Sequence, residues 1–370
     1  MVLVSLLGDF DSSILPLFFE HKEKLSLHVL VHDKTTRDQK EARRLEKGLK
    51  ALKHKYRIAC NLETIEIDED HFKVILALGE RLLTLAPPEE LFLNVSDGLA
   101  NVGIILSKAV LERGANLLIY DRYDNQVNHL TLGGMKRMLL SKSMGVEDHL
   151  IAKGYDLVDY KDPDALERRR PYVMEITRNF RQFQKFRKLV MREKKPDDNR
   201  FDSIIHSLWQ LGVATRKGRA LDTNYILGEL FEEQIYHLVR EMGFDDVLCG
   251  AKVHFETIDD TAVQNEFDVM MIKNNHLYII ECKFRDRVDG EYLIYKYDAL
   301  LDRLDRDGKV MIVNVASTEA KDALRRGKRI HHNFEKGTLY RAQLNNILIY
   351  YEPTLDVPKL RQMMRRFFEA

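Results

Sequence analysis

Residues 265–284 read NEFDVMMIKNNHLYIIECKF, and this stretch decides the fold of the C-terminal half. It holds two short runs of bulky apolar residues, the pattern of strands buried on both faces. Asn274-Asn275 between them is a turn signal, so the runs form a hairpin. Each strand carries one acid among apolar neighbours, Asp268 in the first and Glu281 in the second. Burying a carboxylate there is costly unless a cation or a partner compensates it. The hairpin brings both acids to the same end of the strand pair. Lys283 follows Glu281 by two residues and shares its face, whereas the Cys282 side chain points to the other face, into the core. Phosphodiester cleavage needs a water activated near neutral pH and a stabilised, charge-rich transition state, and a divalent metal supplies both. Mg²⁺ or Mn²⁺ prefers hard oxygen ligands, so Asp268, Glu281 and the backbone carbonyl of Cys282 are candidate ligands. Lys283 is placed to orient the attacking water and to stabilise developing charge.

The surroundings extend this reading. A helix over residues 224–242 carries Gly228-Glu229-Leu230-Phe231-Glu232-Glu233. Glu232 shares a face with Gly228, Ile235 and Tyr236 and is a third candidate catalytic and metal-binding acid. Glu229 and Glu233, at spacing four, are expected to face solvent. Strands are expected over residues 252–258, 266–272, 276–284, 309–315 and 346–351, with helices over 292–305 and 319–326. That is an αβββαβ order, a mixed sheet flanked by helices. Lys296 and Tyr295 on the helix after the hairpin are candidates to touch the scissile phosphate. The plain reading of an Asp-x₁₂-Glu-x-Lys pattern is an ion-paired hairpin; the helical glutamate in front and the helix behind favour the catalytic one.

The first third alternates apolar runs with helical stretches. Strands are expected over residues 1–7, 25–31, 74–78, 91–95 and 116–120, with helices over 38–54 and 101–113 between them. This alternation implies a parallel sheet covered on both faces, a Rossmann-like domain. Ligands of such sheets sit beyond the carboxyl ends of the strands. Those ends carry Gly8-Asp9-Phe10-Asp11, His32-Asp33-Lys34 and Asn94-Val95-Ser96-Asp97-Gly98, with Asn101 close behind. Ser and Asp also favour simple helix caps, so residues 96–98 fit either role.

Composition bounds the function. The 370 residues suffice for two or three domains. Basic and acidic residues balance at 58 each, which disfavours a non-specific nucleic-acid coat protein and leaves such contact to local patches. Cys60, Cys249 and Cys282 have no paired spacing, so no disulfide framework is expected and a cytoplasmic setting is. The apolar start lacks a basic n-region and reads as a first strand. No apolar run approaches the ~20 residues of a membrane helix. We therefore expect a ligand-sensing domain over 1–140, a helical basic connector over 141–220 and a catalytic domain over 221–370. The connector holds twelve basic residues between Arg168 and Arg200, plus Phe180, Phe183 and Phe186 at spacing three. The phenylalanine stripe reads as core, and the basic face as solvated surface ahead of nucleic-acid contact.

Gly228…Glu232, Asp268 and Glu281-Cys282-Lys283 resemble the motifs of the PD-(D/E)xK restriction-endonuclease-like superfamily, over about residues 221–330. The N-terminal domain resembles the CARF domain, the CRISPR-associated Rossmann fold. Together the halves resemble the CRISPR ancillary nucleases of type III systems, which act in antiviral defence. The resemblance implies a homodimer that binds a cyclic oligoadenylate, most often cyclic tetra-adenylate, as allosteric activator. It also implies a Mg²⁺- or Mn²⁺-dependent endonuclease cleaving DNA or RNA. Residues Gly8, Asp9, Phe10, Asp11, His32, Lys34, Ser96, Asp97, Gly98 and Asn101 are the expected activator-binding set. Where that family commonly shows Asn-x-Thr-Gly-Gly-Thr-Lys, this chain has Asn94-Val95-Ser96-Asp97-Gly98-Leu99-Ala100, without the lysine. Arg325, Arg326, Lys328 and Arg329 join the basic segment as candidates to line a nucleic-acid cleft. Two other readings stand beside this one: a non-catalytic nucleotide-sensing regulator, and a restriction-type endonuclease without nucleotide gating.

Overall fold

The computed structural model describes residues 1–8, 13–96, 98, 100–193, 199–258, 261–316 and 334–368. The chain divides into two compact units, Met1–Asp156 and Leu157–Ala370. Among the described residues the strands form two sheets.

The first unit is built on strands β1 (Val2–Leu7), β2 (Leu27–Asp33), β3 (Asn61–Ile67), β4 (Leu91–Asn94), β5 (Asn116–Asp121), β6 (Gln126–Thr131) and β7 (Gly134–Leu139). Their order is β3-β2-β1-β4-β5-β6-β7, with the first five parallel and the last two added as antiparallel hairpins. Helices α1 (Ile14–His21), α2 (Thr36–Tyr56), α3 (Phe72–Leu82), α4 (Ala100–Leu111) and α5 (Val146–Ala152) complete it. Period-two alternation along β1 separates two cores. Leu3 and Leu7 join α1, α2 and Ala152 of α5. Val2, Val4 and Leu6 join α3 and α4. This is the Rossmann-like arrangement, with the strand order reversing between β1 and β4.

One expected strand is absent. Residues 74–78 lie inside α3, where Ile75, Leu78, Gly79 and Leu82 are the buried residues, the helical spacing of one apolar stripe. The third strand is instead the sheet-edge segment β3, with Ile65 and Ile67 buried and the intervening Glu66 exposed.

The second unit carries β8 (Asp156–Asp159), β9 (Asp246–Ile258), β10 (Thr261–Lys273), β11 (His276–Lys283), β12 (Lys309–Val315) and β13 (Ile347–Glu352), in the order β13-β12-β11-β10-β9-β8. β9, β10 and β11 are antiparallel neighbours, and β11, β12 and β13 run parallel. Helices α6 (Pro163–Arg178), α7 (Phe180–Met191), α8 (Asp202–Gln210) and α9 (Leu230–Arg240) share one apolar cluster with Val269, Ile280, Cys282 and Val313 of the sheet. Helix α10 (Gly290–Leu304) and helices Lys336–Leu344 and Val357–Phe368 follow.

Residues 141–220 are therefore not a separate connector. Helix α5 belongs to the first unit, where Asp148 accepts from the Tyr56 hydroxyl at 2.6 Å. Helices α6 to α8 belong to the second, because Phe180, Phe183 and Phe186 are core residues of that unit. The expected helix over 319–326, with Arg325, Arg326, Lys328 and Arg329, lies outside the described residues. No helix among the described residues is long and apolar enough to cross a membrane.

Candidate active site

The β10–β11 hairpin closes through Asn274 and Asn275, both at left-handed φ (+53° and +65°). Asparagine tolerates that conformation, and a two-residue turn of this kind matches the strand twist. The register Val269↔Ile280 places Asp268 directly opposite Glu281. The Cys282 N–H donates to Asp268 Oδ2 at 2.6 Å. Lys283 Nζ forms an ion pair with Glu281 and lies 3.8 Å from Asp268 Oδ2. The hairpin thus delivers the four residues that the sequence singled out. The Cys282 side chain is buried in the α6–α9 cluster, and burial holds its thiol well above the usual range. Only its backbone is available to a cation.

Two carboxylates share one lysine here, and the electrostatics follow. Burial, and then the facing Glu281 carboxylate, push Asp268 up to about 8. Burial works against the Lys283 ammonium, but Asp268 and Glu281 prevail and hold it above its ordinary value. A donor set of two hard carboxylates with a surplus of negative charge suits a divalent cation.

These shifts carry a prediction. An acid whose folded-state pKa is raised costs stability as pH rises from its unfolded value, about 4, to its folded value. Asn at position 268 keeps the acceptor for the Cys282 N–H and removes the repulsion from Glu281. Asp268→Asn is therefore expected to unfold a few degrees higher than wild type at pH 8. That advantage shrinks as pH falls towards about 4. Thermal unfolding in EDTA across this range checks it, and a variant less stable than wild type at pH 8 contradicts it.

Tyr297 was not singled out by sequence, yet its hydroxyl donates to Glu281 Oε2. Helix α10 puts it there. Asp289 caps the helix by accepting from the Tyr292 N–H at 2.9 Å. Leu293, Ile294, Tyr297, Leu300, Leu301 and Leu304 then form its buried stripe. A tyrosine in such a stripe requires a partner for its hydroxyl, which is the signal that could have found it. The neighbours chosen from sequence point elsewhere. The Tyr295 hydroxyl accepts from Arg341 at 2.7 Å. Lys296 Nζ lies 4.9 Å from the Tyr297 ring centre and pairs with no acid among the described residues.

Glu232 is not joined to the Asp268–Glu281 pair by any hydrogen bond in the structure. Helix α9 packs on the Cys282 face of the sheet, and Glu232 turns instead to Lys161 Nζ at 3.3 Å. The same ammonium lies 3.1 Å from Glu229 and 3.7 Å from Glu233. Burial opposes its charge, and the glutamates overcome this and raise its pKa. Among the described residues no three His, Cys, Asp or Glu side chains converge on one point suited to a metal. Glu233, expected in solvent, is fully buried, accepting from the Tyr225 hydroxyl at 2.8 Å with Arg169 at 3.5 Å. Glu229 and Glu233 do lie side by side as spacing four implies, since both approach Lys161, but Tyr225 and Arg169 close over Glu233 and leave Glu229 half exposed.

In the first unit, Gly8 and Gly98 meet where β1 and β4 diverge. A Cβ on Gly8 would sit 2.8 Å from Gly98 Cα, and one on Gly98 2.6 Å from Leu6 Cβ. Only glycine permits this approach of two strand-end loops. The Ser96 hydroxyl is committed to structure: it donates to Asn94 Oδ1 at 2.6 Å and accepts from the Tyr120 N–H at 2.7 Å. His32 is buried with its Nδ1 on the Asp33 carbonyl. Lys34 pairs with Asp68, just past β3 and on the far side of β2 from Gly8. Asn101 is exposed on the first turn of α4. Asp9, Phe10, Asp11 and Asp97 lie outside the described residues.

Residues 220–346 match the family described as Card1-like, endonuclease domain. Protein VC1899 from Vibrio cholerae superposes with a TM-score of 0.75 at 16% identity, over 100% of this chain and 98% of that one. Can2 from Sulfobacillus thermosulfidooxidans, solved in complex with cyclic tetra-adenylate, gives 0.68 at 15% identity, over 100% and 99%. A type III CRISPR defence DNA nuclease activated by cyclic oligoadenylate gives 0.50 at 14% identity, over 85% of this chain and 45% of that one. No curated protein matches this sequence. At such identities the structural likeness is one of fold. The chain shares the fold of VC1899 and Can2 along its whole length, and residues 220–346 of its second unit match the Card1-like endonuclease domain.

Proposed function

We propose that this protein is a metal-dependent nuclease of type III CRISPR defence, acting on DNA or RNA and switched on by a cyclic oligoadenylate, cyclic tetra-adenylate first among them. The observation that carries the reading is the buried Asp268–Glu281 pair with Lys283 between them, inside the segment that matches an endonuclease domain. Asp268, Glu281 and the Cys282 carbonyl would hold a Mg²⁺ or Mn²⁺ ion, which supplies an activated water and neutralises charge on the phosphate. Lys283 faces the same space and stabilises charge that develops on the phosphoryl oxygens. Tyr297 fixes the orientation of Glu281. Glu232 acts from further out, through the field it adds at Asp268.

The first unit is the sensor in this reading. The Gly8–Gly98 approach leaves backbone, without side chains, at the topological switch point where such folds take nucleotides. A ligand with two-fold symmetry matches an isologous interface, so a homodimer sharing one activator is the assembly proposed. The solved complex of Can2 with cyclic tetra-adenylate supports that ligand class.

The test mixes the full chain with Mn²⁺ and labelled single- and double-stranded DNA and RNA, with and without cyclic tetra-adenylate. Cleavage that needs both metal and activator is expected. No cleavage of any substrate overturns the nuclease reading, and equal cleavage without activator overturns the gating.

A further inference from the structure

The basic stretch 168–200 splits into two helices with different electrostatic fates. On α6 the arginines meet carboxylates: Arg168 with Asp162 at 3.8 Å, Arg170 with Glu241 at 2.9 Å, Arg178 with Glu175 at 3.2 Å. Arg169 faces Glu233. On α7 the pattern stops. Arg181, Lys185 and Lys188, with Arg192 just past the helix, are exposed and pair with no carboxylate among the described residues. The same holds for Arg285, two residues after Lys283.

These five cations rim a cavity of about 730 Å³, and among the described residues its lining holds a single carboxylate, Asp286. Arg187 adds a sixth charge at its wall. Its guanidinium lies 4.1 Å over the Phe284 ring and donates to the Leu227 carbonyl at 2.9 Å. Its Nε has no partner in the structure, and burial lowers its pKa to about 10. In a chain of zero formal charge this is a marked local excess. The wall adjoins the hairpin of the candidate site, since Phe284 immediately follows Lys283, and Arg187 ties it to Leu227, which precedes Gly228.

We propose that this cavity holds backbone phosphate of the substrate strand and so anchors nucleic acid beside the Asp268–Glu281 site. The inference rests on the nuclease reading and adds to it the place where the strand is gripped. Charge complementarity selects a polyanion. The chemistry selects its backbone over its bases. Among the described residues Phe284 is the one aromatic side chain lining the cavity, and it packs against Arg187 and against Phe180, stacked at 5.2 Å. No ring among the described lining residues is left for a base, so the grip is independent of sequence and sensitive to salt.

The test measures binding of a fluorescein-labelled single-stranded oligonucleotide in EDTA, by anisotropy over a salt series, with and without cyclic tetra-adenylate. It compares wild type, Lys185→Glu/Lys188→Glu, Arg285→Gln, and an Arg365→Glu/Arg366→Glu control outside the cavity. Losing two phosphate contacts is expected to weaken binding about tenfold and to reduce the log–log salt slope by about 1.4. The control should change affinity less than about twofold. Affinity and slope unchanged in both cavity variants, with cleavage intact, overturn the anchor and leave the nuclease reading standing. Binding lost on charge reversal in a protein that never cuts supports the anchor and overturns the nuclease reading. Competition by pyrophosphate without any oligonucleotide binding overturns the anchor as well.

Discussion

Glu281→Gln is expected to cut activated cleavage by about a thousandfold or more while the protein stays folded. Glutamine keeps the length of the side chain and an oxygen to accept from Tyr297. It removes the charge that faces Asp268 and pairs with Lys283. In the proposed chemistry that charge is one of the cation's two carboxylate ligands. A loss of about 4 kcal/mol in transition-state stabilisation is the scale of removing one such preorganised group. The variant also relieves the repulsion that helps hold Asp268 up at about 8, so Asp268 should titrate lower, with burial and the more distant Glu232 still opposing it. Tyr297→Phe is the graded comparison. It leaves both carboxylates and removes one hydrogen bond, for which about a tenfold loss is expected. Initial rates at saturating Mn²⁺ and activator measure both, with thermal unfolding as the check on folding. Glu281→Gln turnover within about tenfold of wild type would remove Glu281 from the chemistry.

What could be read from sequence, and what could not, follows one physical division. The β10–β11 hairpin was legible because it is local. Two apolar runs, an Asn-Asn turn and period-two geometry fix Asp268, Glu281, Cys282 and Lys283 relative to one another within twenty residues. The parallel sheet of the first unit was legible for the same reason, except at its edge. β3 alternates buried isoleucines with exposed polar residues, so it lacks the continuous apolar run of its neighbours. The more apolar residues 74–78 took its place in the reading, although their stripe is helical. Tyr297 lay one residue from Lys296, and only the buried face of α10 distinguishes them. Glu233 is buried through Lys161 and Arg169, cations from a distant part of the chain that no local pattern reveals. The basic stretch was legible as composition, but its division into paired and unpaired cations depends on carboxylates up to about seventy residues away.

Lys161 is the clearest case of a residue no local pattern reveals, and its removal should have the second large effect. It precedes α6 and its N–H donates to the Cys249 carbonyl at 2.9 Å. Its stem then crosses Gly250, the residue beside Asp268 on β9. A Cβ on Gly250 would come within 3.3 Å of that stem, and the residue sits at φ +63°. The bare glycine is what lets the ammonium reach Glu229, Glu232 and Glu233. Lys161→Met keeps the stem and leaves these acids without their shared cation. Glu233 retains Arg169 and Tyr225, whereas Glu232 retains no cation among the described residues. Breaking a largely buried ion cluster from one side should cost about 3 kcal/mol, with the exposed Glu229 contributing little. The sign with pH is fixed. Burial already holds Glu232 above its ordinary value even with Lys161 present. Without Lys161 that carboxyl rises further, and a raised acid costs stability above its unfolded pKa. The deficit should be full near pH 8 and fade as the acids protonate, towards pH values of about 4–5. Gly250→Ala should cost about 1–2 kcal/mol through its left-handed backbone and the crowded stem. The two changes should not add, because a shorter reach already weakens the cluster that Lys161→Met abolishes. Denaturant unfolding of both single variants and the double, in EDTA at pH 8 and pH 5, measures this. A Lys161→Met deficit below about 0.5 kcal/mol at pH 8 would mean that water, and not Lys161, balances the glutamates of α9.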